Sequence, residues 1–310
     1  MTERRMLRFD APLLGDVALP VFEAQGTDDG PRVCLLAGIH GCEYSSIATL
    51  TRFMRDVDTA GLHGSIVAAP IVGMTSFRAR SPFITPEDGK NLNRCFPGNP
   101  DGTFSEVLAH HVFEQLICSG DALIDLHGGD MVEALEPFTL YDESQVEDRS
   151  RAMAAAYGLR YVICTPAGDS IGGTTSFAAA AVGIPAITPE VGGIGQLEQN
   201  AVSAHVAGLE NTLRLLGSLD GEVDPPPAGA QLVGEFAWLR SPVAGWWDCQ
   251  VVPGEAVVAG QRLGAVCDLH GEERHEVTSP AEGVVLFTTT SPAMAEDGIL
   301  LAVGAQMTPL

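Results

Sequence analysis

Two textures of apolar and polar positions divide the chain. Through residue 219, short unbroken apolar runs alternate with longer stretches in which apolar positions recur at helical spacing. Runs at 33–37, 65–70, 122–127, 160–164 and 185–188 predict strands, those at 33–37 and 122–127 buried. Helical periodicity predicts helices over 43–57, 103–118, 146–157, 176–182 and 196–217. Strand and helix in turn predict an α/β fold: a domain over 1–219 whose mostly parallel central sheet is flanked by helices. Residues 1–30 read as a lead-in of a strand or two. Residues 220–230, with Pro225-Pro226-Pro227, read as a stiff linker. From 231 to 310 apolar and polar residues alternate between glycine turns, which predicts a smaller all-β domain. Inside it Ser241-Pro242-Val243-Ala244-Gly245 echoes Ser279-Pro280-Ala281-Glu282-Gly283, as two similar halves of a β-sandwich would.

Residues 71–102 break the rhythm. They are rich in Pro, Gly, Asn and Arg, and so long a loop inside a compact domain is usually functional. No apolar run reaches the eighteen or so residues that span a bilayer, and the charged start MTERRMLRFD has no apolar segment behind it. The expectation is a cytoplasmic protein without a membrane partner. Seven cysteines, an odd number without C-x-x-C spacing, read as buried thiols of a reduced compartment and give no thiolate metal site. A net charge of −23 argues against nucleic acid and anionic membranes as partners. Lys90 is the single lysine, and an isolated arginine in so acidic a chain is a place to bind an anion.

The chemistry gathers at strand ends. His40 and Glu43 stand three apart in the glycine-flanked turn after the 33–37 strand, where an imidazole and a carboxylate can meet one metal ion. Without other support the same pair is a turn histidine and a helix-capping glutamate. His127 closes the 122–127 strand and is the candidate third ligand. Asp125, two residues back, can orient an imidazole. Glu190, just past the 185–188 strand, is the candidate general base. Ligands of open α/β sheets bind at this edge. In the long loop, Asn93 and Arg94 suit a substrate carboxylate and Arg80 a carbonyl oxygen; the plain alternative is a loop of solvated arginines.

GIHGCE, NLNRCFPG, DLHGG and PEVGG, in this order, resemble the succinylglutamate desuccinylase/aspartoacylase family of zinc carboxypeptidase-like hydrolases. Within it the likeness is nearest to bacterial deacylases that include N-acetyl-diaminobutyrate deacetylases. The resemblance runs over most of residues 30–300. It implies one zinc per chain on His40, Glu43 and His127, with Glu190 as base. It also implies Arg80 on the scissile carbonyl, and Asn93 with Arg94 on the substrate carboxylate. One departure concerns the pocket: aspartoacylases bring a tyrosine from the C-terminal domain, whereas residues 231–310 contain none. Trp246 and Trp247 are the nearest aromatic candidates. The stretch 177–182 and the turn Gly128-Gly129-Asp130 are candidate pocket lining.

These observations predict a zinc-dependent deacylase of small N-acyl amino acids. A carboxypeptidase acting on peptides has the same metal centre and differs in cleft size. A non-catalytic metabolite-binding relative is the reading from another class. The two echoed phrases resemble the barrel-sandwich folds of biotinyl and lipoyl carriers, so the C-terminal domain is expected to be barrel-sandwich-like. Covalent carrier function, however, needs a lysine that residues 231–310 lack. What remains for that domain is a shape role, covering the site or building a homo-oligomer.

Overall fold

A computed structural model describes residues 2–166 and 172–310. The strands are β1 (Thr2–Arg8), β2 (Ala18–Gln25), β3 (Asp28–Ala37), β4 (His63–Ala69), β5 (Ala122–Leu126), β6 (Glu133–Leu135), β7 (Phe138–Asp142), β8 (Tyr161–Thr165), β9 (Ala186–Glu190) and β10 (Gln231–Val233). Those that follow are β11 (Glu235–Arg240), β12 (Gly245–Cys249), β13 (Ala256–Val257), β14 (Arg262–Cys267), β15 (Glu273–Thr278), β16 (Gly283–Thr289), β17 (Ala293–Met294), β18 (Ile299–Ala305) and β19 (Thr308–Pro309). The helices are α1 (Tyr44–Asp56), α2 (Met74–Ala79), α3 (Phe104–Gln115), α4 (Glu147–Tyr157), α5 (Thr175–Ala181) and α6 (Gln199–Leu215).

Ten strands form the large sheet, in the order β1-β2-β4-β3-β5-β9-β7-β8-β10-β19. The unbroken apolar run of β3 explains its central place. Val33, Leu35 and Ala37 face one core with α1, α4 and α6, whereas Cys34 and Leu36 face another with α3 and α5. A strand buried on both faces needs no polar alternation. Helix α1 lays Ile47, Leu50, Phe53 and Met54 on one side, all buried; each such side chain contributes about 1.5–3 kcal/mol relative to exposure. Thr103 and Glu106 close a capping box at the start of α3, satisfying backbone donors that the helix leaves unpaired.

The sheet is mixed, which corrects the expectation of a mostly parallel one. Five neighbouring pairs run parallel and four antiparallel among the described residues. The reversal at β7 has a plain cause. No helix lies between β5 and β7, and parallel neighbours need a long crossover, usually helical. The chain therefore turns back through β6, and β7 meets β9 antiparallel.

After the linker the chain first returns to the large sheet, where β10 lies parallel to β8 and β19 pairs with β10. Residues 235–305 build two antiparallel sheets, β11-β18-β16-β13 and β15-β14-β12-β17. Their shared core includes Trp247, Leu263, Val266, Val285, Leu301 and Val303. Strand β6 adds to the first sheet by pairing with β16, so both parts of the chain share one ladder. The two echoed phrases make the same turn. Ser241 donates its hydroxyl to the carbonyl of Val243, and Ser279 to that of Ala281, at 2.5 and 2.7 Å. Gly245 and Gly283 then each pass so close to a backbone carbonyl that a Cβ would collide with it. All seven cysteines are free; Cys34 and Cys42 are buried and Cys118 is exposed. No helix among the described residues is long and apolar enough to cross a membrane.

Candidate active site

The loop after β3 carries His40 and Glu43, and it is held down by a close approach. Gly41 lies against the backbone of Phe77 in α2, where a Cβ would collide. Glu43 sits at the N-terminal boundary of α1. His127 follows β5, its N–H bonded to the Pro189 carbonyl at 2.9 Å and its own carbonyl accepting from Val191 at 3.2 Å. Glu190 ends β9 beside it.

His40, Glu43 and His127 present one donor atom each within 4.8 Å of one another, a group that can hold a metal ion. Nδ1 of His40 lies 2.6 Å from Oε1 of Glu43, and Nδ1 of His127 lies 3.1 Å from Oε2. Each ring is held from behind through its other nitrogen. Oδ1 of Asn91 accepts from the Asn93 N–H at 2.8 Å, which fixes the amide's orientation. Nε2 of His40, 3.0 Å from that oxygen, is therefore the donor. Nε2 of His127 donates to Oδ2 of Asp125 at 3.0 Å, and Asp125 also accepts from the Thr175 hydroxyl. Both Nδ1 atoms consequently face Glu43.

The electrostatics favour positive charge between these donors. Burial alone would lower the proton affinity of His127, but the carboxylates of Asp125 and Glu43 hold it well above the usual imidazole range. His40 is raised as well, Glu43 outweighing burial. Burial would raise Glu43, yet the two imidazoles hold it down at about 2. Oε2 of Glu43 is buried without a hydrogen bond. Two nitrogen donors and one carboxylate oxygen within 4.8 Å of one another fit a zinc-type ion.

A further layer braces His127. Its carbonyl accepts from Nε2 of His205 at 3.0 Å, and Nδ1 of His205 takes the Tyr157 hydroxyl at 2.6 Å. Burial pushes His205 down to about 4, so the ring is neutral and accepts from one side while donating from the other.

The group opens into a cavity of about 600 Å³. Asn93, Arg94 and Glu190 line it, as do Asn91 and Gly128. Oδ1 of Asn93 accepts from the N–H of Thr175 at 3.1 Å, so the amide donors of Asn93 are what remain for a ligand. Arg94 donates Nη1 to the Asn93 carbonyl at 2.7 Å. Burial raises Glu190 well above the usual carboxyl range; the His127 charge opposes this, and Glu43, Glu133 and Asp125 add to it. Glu133 also lines the cavity, and burial holds it up at about 7.

Arg80 is not brought in. It is exposed, in the left-handed conformation at the end of α2, and absent from the cavity lining, although Phe83 three residues on is part of it. Trp246 and Trp247 do not line the cavity either: Trp246 is exposed and Trp247 packs in the C-terminal core. The aromatic residues that the C-terminal strands bring there are Phe236 and Trp238 of β11 and Phe287 of β16. Of 177–182 none lines it, whereas Ser176 does. Asn91, Thr175, His205, Glu133 and Trp238 were not singled out from sequence. Only Asn91 had a signal, its place beside Asn93 and Arg94.

Residues 29–216 match the succinylglutamate desuccinylase/aspartoacylase catalytic domain. The chain is 27% identical over 306 residues to the N-alpha-acetyl-L-2,4-diaminobutyric acid deacetylase of Halomonas elongata, covering 96% of this chain and 88% of that one. The product-bound ectoine utilization protein EutE (DoeB) from Ruegeria pomeroyi superposes with a TM-score of 0.88 at 24% identity, over 98% of this chain and 95% of that one. A succinylglutamate desuccinylase/aspartoacylase from Rhodobacter sphaeroides gives 0.86 at 24% identity, over 100% and 95%.

Proposed function

Since the chain belongs to the succinylglutamate desuccinylase/aspartoacylase family, we propose that it is a zinc-dependent hydrolase cleaving the amide bond of a small N-acylated amino acid. The observation that carries this reading is the convergence of His40, Glu43 and His127, with each imidazole fixed from behind. These three residues would hold one zinc, which when bound supplies Lewis acidity toward a water and the amide carbonyl. Glu190 takes a proton from the attacking water and delivers it to the departing amine nitrogen; burial, which raises its proton affinity, favours the first of these transfers. Arg94 offers a bidentate guanidinium to the substrate carboxylate, and Asn93 adds its amide donors. Asp125 and Asn91 keep the Nδ1 lone pairs of the two histidines turned inward. For Arg80, a role on the scissile carbonyl requires the turn from Arg80 to Phe83 to fold inward over bound substrate.

The wall supplied by residues 236–299 supports a small substrate over a polypeptide. The Halomonas elongata relative is named for an N-acetylated amino acid, and from that likeness we take the N-acyl amino acid class for this chain.

Metal analysis of the purified protein and an amine-release screen of N-acyl amino acids test the reading. We expect about one zinc per chain and release of free amine that is lost in Glu190→Gln. Release of amino acids from ordinary peptides, with N-acyl amino acids untouched, would replace it with a carboxypeptidase. A protein that takes up no metal when zinc is supplied would overturn it.

A further inference from the structure

The cavity continues from the metal-type group into an apolar wall whose position the strand register defines. Phe138 of β7 stands directly opposite Glu190 of β9 in an antiparallel ladder, and Leu140 opposite Thr188. Directly opposed residues project to the same face of a sheet. The apolar wall therefore begins next to the candidate base, and it runs on ring by ring. Phe138 and Phe236 have centroids 5.6 Å apart, Phe236 and Trp238 4.8 Å, and Trp238 and Phe287 5.5 Å.

These four rings differ in what they leave open. Phe138 and Phe287 are 5% and 4% exposed, whereas Trp238 keeps 39% of its surface free while lining the cavity. Its edge-to-face neighbours fix the indole, so little side-chain freedom is lost when a ligand packs on it. Two polar side chains of this wall, Arg240 and Glu133, have partners of their own. Arg240 donates to the Asp297 carbonyl at 2.7 Å and lies 3.6 Å from its carboxylate. Glu133 accepts from the Asp130 N–H at 3.0 Å. The volume, about 600 Å³, is that of pockets for ligands of drug size, more than a small N-acetyl amino acid fills.

Resting on the deacylase reading, we propose that Trp238, with Phe236, forms the specificity wall for an aromatic or comparably large apolar group of the N-acyl amino acid substrate. The C-terminal part of the chain thereby chooses the substrate that the N-terminal part cleaves.

The test compares kcat/KM of the zinc-supplied protein for N-acetylphenylalanine, N-benzoylglycine, N-acetylalanine, N-acetylaspartate and N-acetyl-2,4-diaminobutyrate. A preference of about tenfold or more for either aromatic compound over N-acetylalanine is expected, and which of the two is preferred says on which side of the amide the ring sits. In Trp238→Ala that ratio should fall toward one, and in Trp238→Phe it should be partly kept; thermal melts of both variants report whether they fold. Best activity on the diaminobutyrate or aspartate compound, with no aromatic preference, would overturn the inference and leave the deacylase reading intact. If no compound releases amine, binding decides. Quenching of tryptophan fluorescence by N-acetylphenylalanine that disappears in Trp238→Phe would support the wall while the deacylase reading fails; equal or absent quenching in both proteins would overturn it.

Discussion

Nε2 of His40 donates to Oδ1 of Asn91 across 51 residues of chain, at 3.0 Å. That one amide fixes the tautomer and the aim of a candidate metal ligand, and it does so from the loop that also carries Asn93 and Arg94. Removing an outer partner of a ligating histidine typically weakens metal binding about 10–100-fold. Asn91→Ala should show a loss of that size in a competition titration against a zinc chelator. Asn91→Asp, which keeps an acceptor, should lose less.

Glu43 buries an oxygen that has no hydrogen bond, so an ion there contributes to folding as well as to chemistry. A ligand at about 1,000 times its Kd stabilises the folded state by about 4 kcal/mol. Zinc should raise the melting temperature, a chelator should lower it, and His127→Ala should abolish the difference. Differential scanning fluorimetry reads all three.

Arg94 has its Nη1 on the Asn93 carbonyl and its charge in the cavity. A hydrogen bond to a charged group contributes about 1.5–3 kcal/mol. Arg94→Ala should thus lower kcat/KM by about 10–100-fold for N-acyl amino acids. Matching N-acyl amines without a carboxylate should be affected far less, as steady-state kinetics on paired substrates would reveal.

Asp88 ties the same loop to the start of α3. It accepts from the Ser105 N–H, the hydroxyls of Thr103 and Ser105, and the Lys90 N–H. Burial would raise this carboxyl, but those donors hold it below its ordinary value. The sign follows: a depressed carboxyl stabilises the fold above the unfolded-state value of about 3.9 and stops doing so as pH falls through its lower folded value. Asp88→Asn, which gives up the charged acceptor of these hydrogen bonds, should destabilise the protein by about 1.5–3 kcal/mol at pH 7. Urea denaturation of variant and parent should converge at acid pH, below the ordinary carboxylate range.

Gly208 of α6 lets the Tyr157 ring approach so closely that a Cβ would lie 2.5 Å from it. Overpacking of this kind costs about 1–3 kcal/mol. Gly208→Ala should lose that much in denaturant unfolding, and it should also weaken zinc binding, because Tyr157 holds His205 and His205 holds the His127 carbonyl.

Much of this was legible in the chain itself, for identifiable reasons. Unbroken apolar runs marked β3 and β5, and the residues that follow buried strands marked His40, His127 and Glu190. Strand direction left no such trace: Phe138–Asp142 has no period that says it runs against β9. The bracing residues were silent because their partners are remote in sequence. Thr175 meets Asp125 across 50 residues and His205 meets His127 across 78, so nothing near Thr175 or His205 announces the contact. Trp238 and Phe236 were unread for a related reason. Their alternation in β11 says that they share a face, and only the pairing of β6 with β16 says what that face looks at.

That pairing has a practical consequence. Residues 221–229 are exposed throughout, which opens the segment beside the triple proline to a protease, yet cutting there would not yield two independent pieces. The fragment beginning beyond the cut still contributes β10 to the edge of β8 and β16 to the edge of β6. Nicked protein should travel as one particle in gel filtration and separate into two only in denaturant.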